Sequence, residues 1–250
     1  MKFQNRIDDT DRLLAEIAGH RPLSKHAREQ LKEYYRVGLT YSSNALEGNS
    51  LTETETKVVL EDGITIGGKL LRDHYEAIGH SEAFDLLYRL VKKADISERH
   101  ILELHKLFYA RIDPKTAGRY RKVGVVVSGA TISFPKPAEL QPLMQAFVDE
   151  IPGQRDTLHP IAFAAWLHIR LVTIHPFIDG NGRTARLLMN LALMRAGYPV
   201  TIIPPVIRGA YLDALKASNQ GDDQPFINLL SSMVWEGQRD YLRLLESLEE

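Results

Sequence analysis

Two strongly apolar stretches, IAFAAWLHIRLVTI and LLMNLALM, are separated only by the twelve residues HPFIDGNGRTAR, His175 to Arg186. A helix that is apolar all round has to be buried on most sides. The helix over about Leu158 to Thr173 and its neighbour over Leu187 to Met194 are therefore the expected core pair. A chain of 250 residues with an apolar share of 44% is long enough to enclose them.

The rest of the chain is mostly helical in pattern. Apolar groups spaced three and four apart run from about Lys25 to Ala45 and from about Leu71 to Lys93. Ser97 stands as the N-cap of a helix through Phe108, and Thr52 to Glu55 reads as a capping box opening a shorter one. Leu229, Leu230, Met233, Val234, Tyr241, Leu244, Leu245 and Leu248 place a last helix over Phe226 to Leu248, weakened midway by Gly237. One segment departs from this. VGVVVSGATISF, Val123 to Phe134, is rich in β-branched residues, has Ser128-Gly129 at a turn and is closed by Pro135 and Pro137, so it reads as a β-hairpin. With no repeat or low-complexity tract, the expected fold class is all-α with one β-hairpin.

Charge and composition exclude several functions. With 31 basic and 32 acidic residues the formal charge is −1, so no global field attracts nucleic acid or an anionic membrane, and charged partners must bind locally. The chain has no cysteine, which removes disulfides, thiolate nucleophiles and Cys-ligated zinc. The start, MKFQNRIDDTDR, lacks the apolar core of a signal peptide, and no later run nears the roughly 18 apolar residues of a membrane span. A cytoplasmic protein without nucleic-acid or membrane partners is expected.

The twelve-residue loop carries the chemistry. The residue before a proline is pushed out of the right-handed helical region, so His175 should end the first core helix and face the loop. Gly180-Asn181-Gly182 then leads into a helix resuming at Arg183, and a glycine-rich turn at a helix N-terminus binds anions through its unpaired N–H groups and the helix dipole. Arg183 and Arg186, three residues apart, can both serve as forks for phosphate oxygens. Asp179 is a hard oxygen ligand suited to Mg²⁺ shared with phosphates. Singly, each residue has a plainer explanation: a histidine beside a core helix is most often structural, Asn-Gly is a common turn, and Asp179 could cap the next helix. His168, His175 and Asp179 also allow a metal reading, but no ligand pattern such as HExxH supports it. Together, in this order, the residues form a polyphosphate cradle with a base beside it.

The string from His175 to Arg186 matches HPFx[D/E]GNGRxxR at every specified position, and in this the chain resembles the Fic family. Gly118-Arg119-Tyr120-Arg121 and His168 add to the resemblance, which covers about Ile96 to Pro204. The resemblance implies a mainly helical Fic fold with a β-hairpin flap, and transfer of AMP from ATP to a Tyr, Ser or Thr hydroxyl of a protein. It assigns His175 as the base that takes the hydroxyl proton and Asp179 as the Mg²⁺ ligand. Gly180, Asn181, Gly182 and the neighbouring backbone would hold the α-phosphate, Arg183 the β-phosphate and Arg186 the γ-phosphate. A lysine at position 182 would have suggested the kinase-like branch, and the phosphocholine-transferring branch stays open.

A second stretch, Ser43-Asn44-Ala45-Leu46-Glu47-Gly48, fits the family's inhibitory pattern [S/T]xxxE[G/N]. Alone, Glu47 would pass for a solvated charge before a helix stop. Beside the intact loop it implies, with Ser43, an inhibitory helix whose carboxylate occupies Arg186 and repels the γ-phosphate, or a carboxylate that positions water to remove AMP. The implied organisation is an N-terminal helical region carrying this motif over 1–95, the core over 96–204 and C-terminal helices packed on it over 205–250. Ile132 and Phe134 would clamp an extended target segment against the flap. ATP, a target protein, the chain itself through auto-modification and a second copy in a homodimer are the implied partners. A catalytically silent Fic-like binding module is the alternative from another class.

Overall fold

The computed structural model describes residues 3–93, 95–126 and 133–249. Among them run ten α-helices: α1 (Ile7–Gly19), α2 (Lys25–Ala45), α3 (Glu53–Glu61), α4 (Leu71–Leu90), α5 (Glu98–Tyr109), α6 (Leu140–Thr157), α7 (Pro160–Ile174), α8 (Asn181–Arg195), α9 (Arg208–Ser218) and α10 (Gln224–Glu249).

The two apolar stretches form the centre, as their composition requires. Leu167 and Leu171 of α7 and Leu187, Leu188 and Leu191 of α8 are fully enclosed, each contributing about 1.5–3 kcal/mol of burial free energy. Pro160 sits in the first turn of α7, where a proline's missing N–H breaks no helical bond. α6 covers one side of α7 through Phe147 against Trp166, and α10 covers another by stacking Phe226 on His168 at 4.8 Å. α4 and α5 pack together against α8, and α2 with α3 lies across α4. α1 is fastened to α10 where Gln238 Nε2 donates to the Thr10 carbonyl and the Arg6 N–H donates to Ser231 Oγ, both at 3.0 Å.

Most expected elements are present, with informative shifts at the ends. The capping box of Thr52 and Glu55 opens α3, Ser97 caps α5, and α2 spans Lys25–Ala45. α10 continues through Gly237 because Val234 and Tyr241 are buried on either side, and packing outweighs a glycine penalty of about 1 kcal/mol. α6 carries Pro152 and Gly153, which mask its helical pattern in the sequence, yet Met144, Phe147 and Ile151 line its buried face. No strand forms among the described residues, so the hairpin expected over 123–134 is not shown. Its middle, 127–132, including Ile132, lies outside them. At its roots, the Val123 and Pro135 carbonyls both accept from the Arg121 guanidinium rather than from a facing strand. No helix among the described residues is long and apolar enough to cross a membrane.

α4 and α5 cross so closely at Gly79 that an added Cβ would lie 2.4 Å from the Phe108 carbonyl oxygen. Backbone cannot yield as a side-chain tip can. Gly79→Ala should therefore lower stability by about 1–3 kcal/mol, the usual effect of overpacking, read as an earlier urea midpoint with an unchanged slope.

Candidate active site

His175 ends α7 in the left-handed conformation, φ 52° and ψ 57°, and is the one non-glycine residue with positive φ among the described residues. Such a backbone persists only where its surroundings over-determine it. Here Arg121 does so: its Nε donates to the His175 carbonyl at 2.9 Å and its N–H donates to the Pro176 carbonyl at 2.9 Å. The remaining guanidinium nitrogens hold the Val123 and Pro135 carbonyls, so one buried side chain ties both roots of the 123–135 segment to the loop. The His175 Nδ1–H donates to the Val172 carbonyl at 3.2 Å, which leaves Nε2 as the basic nitrogen. Phe134 lies against the imidazole, ring centroids 4.3 Å apart. Burial, helped by the Arg121 charge, holds the His175 pKa below its ordinary value despite the Val172 carbonyl, Glu47 and Asp179, so the ring is neutral near pH 7.

The turn after His175 is built on two further side chains. Asn181 clasps Phe177 at both ends, its Oδ1 accepting from the Phe177 N–H and its Nδ2 donating to the Phe177 carbonyl, each at 2.9 Å. The enclosed Phe177 ring stacks on His105 at 3.7 Å. His105 Nδ1 accepts from the Gly118 N–H at 2.9 Å, so the Nε2–H donates to the Asp179 carbonyl at 3.0 Å. Burial drives His105 down to about 4, fixing this neutral form. Gly180, the N-cap of α8, has φ +80°, and a Cβ there would lie 2.8 Å from the Phe108 ring. The first-turn N–H groups of α8 have no partner within the helix, which makes this end an anion site.

Three arginines and three carboxylates surround that end. Arg183 NH1 meets Glu76 Oε1 at 3.0 Å and NH2 meets Asp179 Oδ1 at 3.2 Å, with the guanidinium over the Phe108 ring. Arg72 bridges the same carboxylates, Nε to Glu76 at 3.1 Å and NH2 to Asp179 at 2.5 Å. Arg186, only 2% exposed, donates to Ser43 Oγ (3.0 Å), the Ser43 carbonyl (2.8 Å), the Tyr211 hydroxyl (3.1 Å) and Glu47 Oε1 (2.8 Å). Tyr211 in turn meets His168 Nε2 at 3.0 Å. Burial alone would raise the Glu47 pKa, but the Arg186 and Arg183 charges and the hydrogen bond outweigh it and hold it low. An added Cβ at Gly182 would lie 2.3 Å from Glu47 Oε1, so the carboxylate rests on the first turn of α8 in space that only glycine leaves free.

The residues singled out in the sequence are thus brought together, except Ile132, which lies outside the described residues. Two differ in what they do. The Asn181 side chain closes the loop, so only its backbone N–H is left for a phosphate. Asp179 is already engaged by Arg72 and Arg183. Arg72, Glu76, His105 and Tyr211 escaped the sequence reading. For Glu76 a signal existed: Asp73, Glu76 and His80 recur at helical spacing among the buried residues of α4, and charged groups on a core-facing stripe need partners. Asp179 offers a single hard carboxylate, 39% exposed, and no group of three or more His, Cys, Asp or Glu that could hold a metal gathers among the described residues. That donor set fits Mg²⁺ arriving with phosphate oxygens and water as its other ligands.

The model of the Fic/DOC family matches residues 95–193. The chain is 39% identical over 230 residues to the protein adenylyltransferase Fic of Drosophila willistoni, covering 91% of this chain but 46% of that one. It therefore spans less than half the length of the curated relatives it matches. Fic-1 of C. elegans (residues 134–508) superposes with a TM-score of 0.87 at 33% identity, over 97% of this chain and 72% of that structure. A Fic domain containing signaling protein from Bacteroides thetaiotaomicron superposes with a TM-score of 0.86 at 30% identity, over 95% of this chain and 98% of its own. With the matched segment running through the His175 loop and nearly all of a solved relative overlaid, the chain belongs to the Fic/DOC family.

Proposed function

We propose that the protein transfers AMP from ATP to a Tyr, Ser or Thr hydroxyl of a protein, and that Glu47 restrains this activity. The transfer reading rests on a neutral His175 with its Nε2 available, set beside the anion-binding end of α8. The hydroxyl oxygen bonds to the α-phosphorus while its proton passes to His175 Nε2; the bond from the α-phosphorus to the α–β bridging oxygen breaks, and pyrophosphate leaves. The N–H groups of the first turn of α8 hold the α-phosphate, with Arg183 on the β-phosphate and Arg186 on the γ-phosphate. Asp179 holds Mg²⁺, which supplies neutralisation of phosphate charge. A target segment docks beside Phe134 and Ile132, and a cytoplasmic location is part of the same reading.

The observation that carries the restraint is the 2.8 Å ion pair of Glu47 with Arg186, the carboxylate lying on Gly182. A carboxylate there takes the fork meant for the γ-phosphate and repels it. A second reading, removal of AMP by a water that Glu47 positions, is favoured by the 36% exposure the Glu47 side chain keeps. Incubation with labelled ATP and Mg²⁺ in a lysate tests both. Glu47→Gly, and the neutral Glu47→Gln, should incorporate far more AMP than the wild type. Equal incorporation would remove the restraint. No incorporation by any form would favour a silent binding module, and faster loss of AMP from a modified target in the wild type would favour removal.

Three further outcomes follow from the geometry. In the Glu47→Gly background, His175→Ala should lower transfer by about 10² to 10⁴ while ATP binding persists, because the base acts on the hydroxyl rather than on the nucleotide. Since a lowered pKa keeps the base unprotonated to lower pH, the acid limb of kcat/KM in Glu47→Gly should fall below the ordinary histidine value of about 6.5. Arg183→Ala should weaken both nucleotide binding and turnover, and Arg183→Lys should restore only part, calorimetry and initial rates being the measurements.

A further inference from the structure

Asp179, the carboxylate assigned to Mg²⁺, already faces a cation of the protein's own. Arg72, in the first turns of α4, donates through NH2 to Asp179 Oδ2, while the other carboxylate oxygen accepts from the Gly180 N–H at 2.6 Å and from Arg183 at 3.2 Å. Both oxygens are therefore engaged. The engagements differ in kind. Arg183 is 3% exposed and held by Glu76 on its other side, whereas the Arg72 side chain is 50% exposed and can move into solvent. Its Nε rests on Glu76 Oε1 at 3.1 Å, and Glu76 is in turn fixed by Asn49 Nδ2 on its other oxygen at 2.9 Å. Arg72 can thus give up Asp179 without losing its anchor.

The geometry points to Arg72 as a tethered counter-ion that competes with the divalent cation for Asp179, an inference that rests on the assignment of the metal to that carboxylate. A guanidinium on Asp179 neutralises the charge that would attract a cation and occupies Oδ2. The metal must displace it, and the displaced guanidinium, held by Glu76, stays beside the anion site. This restraint is separate from Glu47: the one lies at the metal ligand and involves α4, the other at Arg186 and involves α2. The sequence offers no motif for it, since Arg72 lies 107 residues from Asp179.

The test uses Mn²⁺ as the probe on the full chain, with free Mn²⁺ counted by electron paramagnetic resonance, alone and with ADP. Arg72→Ala should bind Mn²⁺ about threefold to tenfold more tightly than the wild type, the range expected for losing a half-exposed competing cation. Arg72→Gln, which keeps hydrogen-bonding capacity without the charge, should shift in the same direction, and thermal melts close to wild type would show that neither variant has perturbed the fold. Asp179→Ala should lose the site. If Asp179→Ala abolishes Mn²⁺ binding but both Arg72 variants match or fall below the wild type, the competition is refuted while the metal assignment stands. If Asp179→Ala binds Mn²⁺ like the wild type, the metal assignment and this inference fall together.

Discussion

Arg186 is a permanent charge in the interior, and its neighbourhood is arranged to make that tolerable. An unpaired buried charge costs many kcal/mol, so every donor of the guanidinium must find an acceptor. The sequence puts Arg186 on the first turns of α8 because the loop must end in a helix N-terminus, and α8 is enclosed on most sides. The acceptors come from other elements: Ser43 from the last turn of α2, Glu47 from just beyond it and Tyr211 from α9. Meeting the needs of one arginine therefore fixes where the N-terminal helices and α9 sit relative to the core. Of these partners, Ser43 and Tyr211 are buried, while Glu47 alone is partly open to water. Its loss is the one the fold can best absorb, because water and the remaining acceptors still serve Arg186. A contact of this kind is what the proposed restraint requires.

The same economy of partners runs through the loop. Arg121 uses one guanidinium to hold the strained His175 backbone and both roots of the 123–135 segment. His105 uses its two ring nitrogens to fix Gly118 and Asp179, and its ring face to seat Phe177. Glu76 steadies Arg183 and Arg72 together. The proposed chemistry needs a base, a carboxylate and two forks in a fixed relation, and in each case a buried polar side chain from elsewhere in the chain sets that relation.

Much of this was legible in the sequence, and the limits have physical causes. The central pair α7 and α8 follows from apolar composition, and α3 and α5 from their caps, because those signals are local. The loop residues from His175 to Arg186 declare themselves because their chemistry is concentrated in one short run. Arg72 does not, because a lone arginine at helical spacing looks the same whether it faces solvent or a partner 107 residues away, and the buried Tyr211 reads as an ordinary core aromatic. α6 was hidden by Pro152 and Gly153, whose local preferences are overridden by burial of Phe147 and Ile151. The β-branched run over 123–134 does not appear as strands among the described residues, where the backbone acceptors at its roots belong to Arg121.

In the proposed restraint, the Glu47 carboxylate takes the place of the γ-phosphate on Arg186. Comparing ATP with ADP separates that subsite from the rest of the nucleotide site, since the two differ only in the γ-phosphate. Calorimetry with Mg²⁺ on wild type and Glu47→Gly, both carrying His175→Ala to prevent turnover, reads the ratio of ATP to ADP affinity. On this account the ratio rises in Glu47→Gly by about tenfold or more, the worth of one charge-assisted contact, while ADP binding changes little. An unchanged ratio, or an equal gain for both nucleotides, would contradict it.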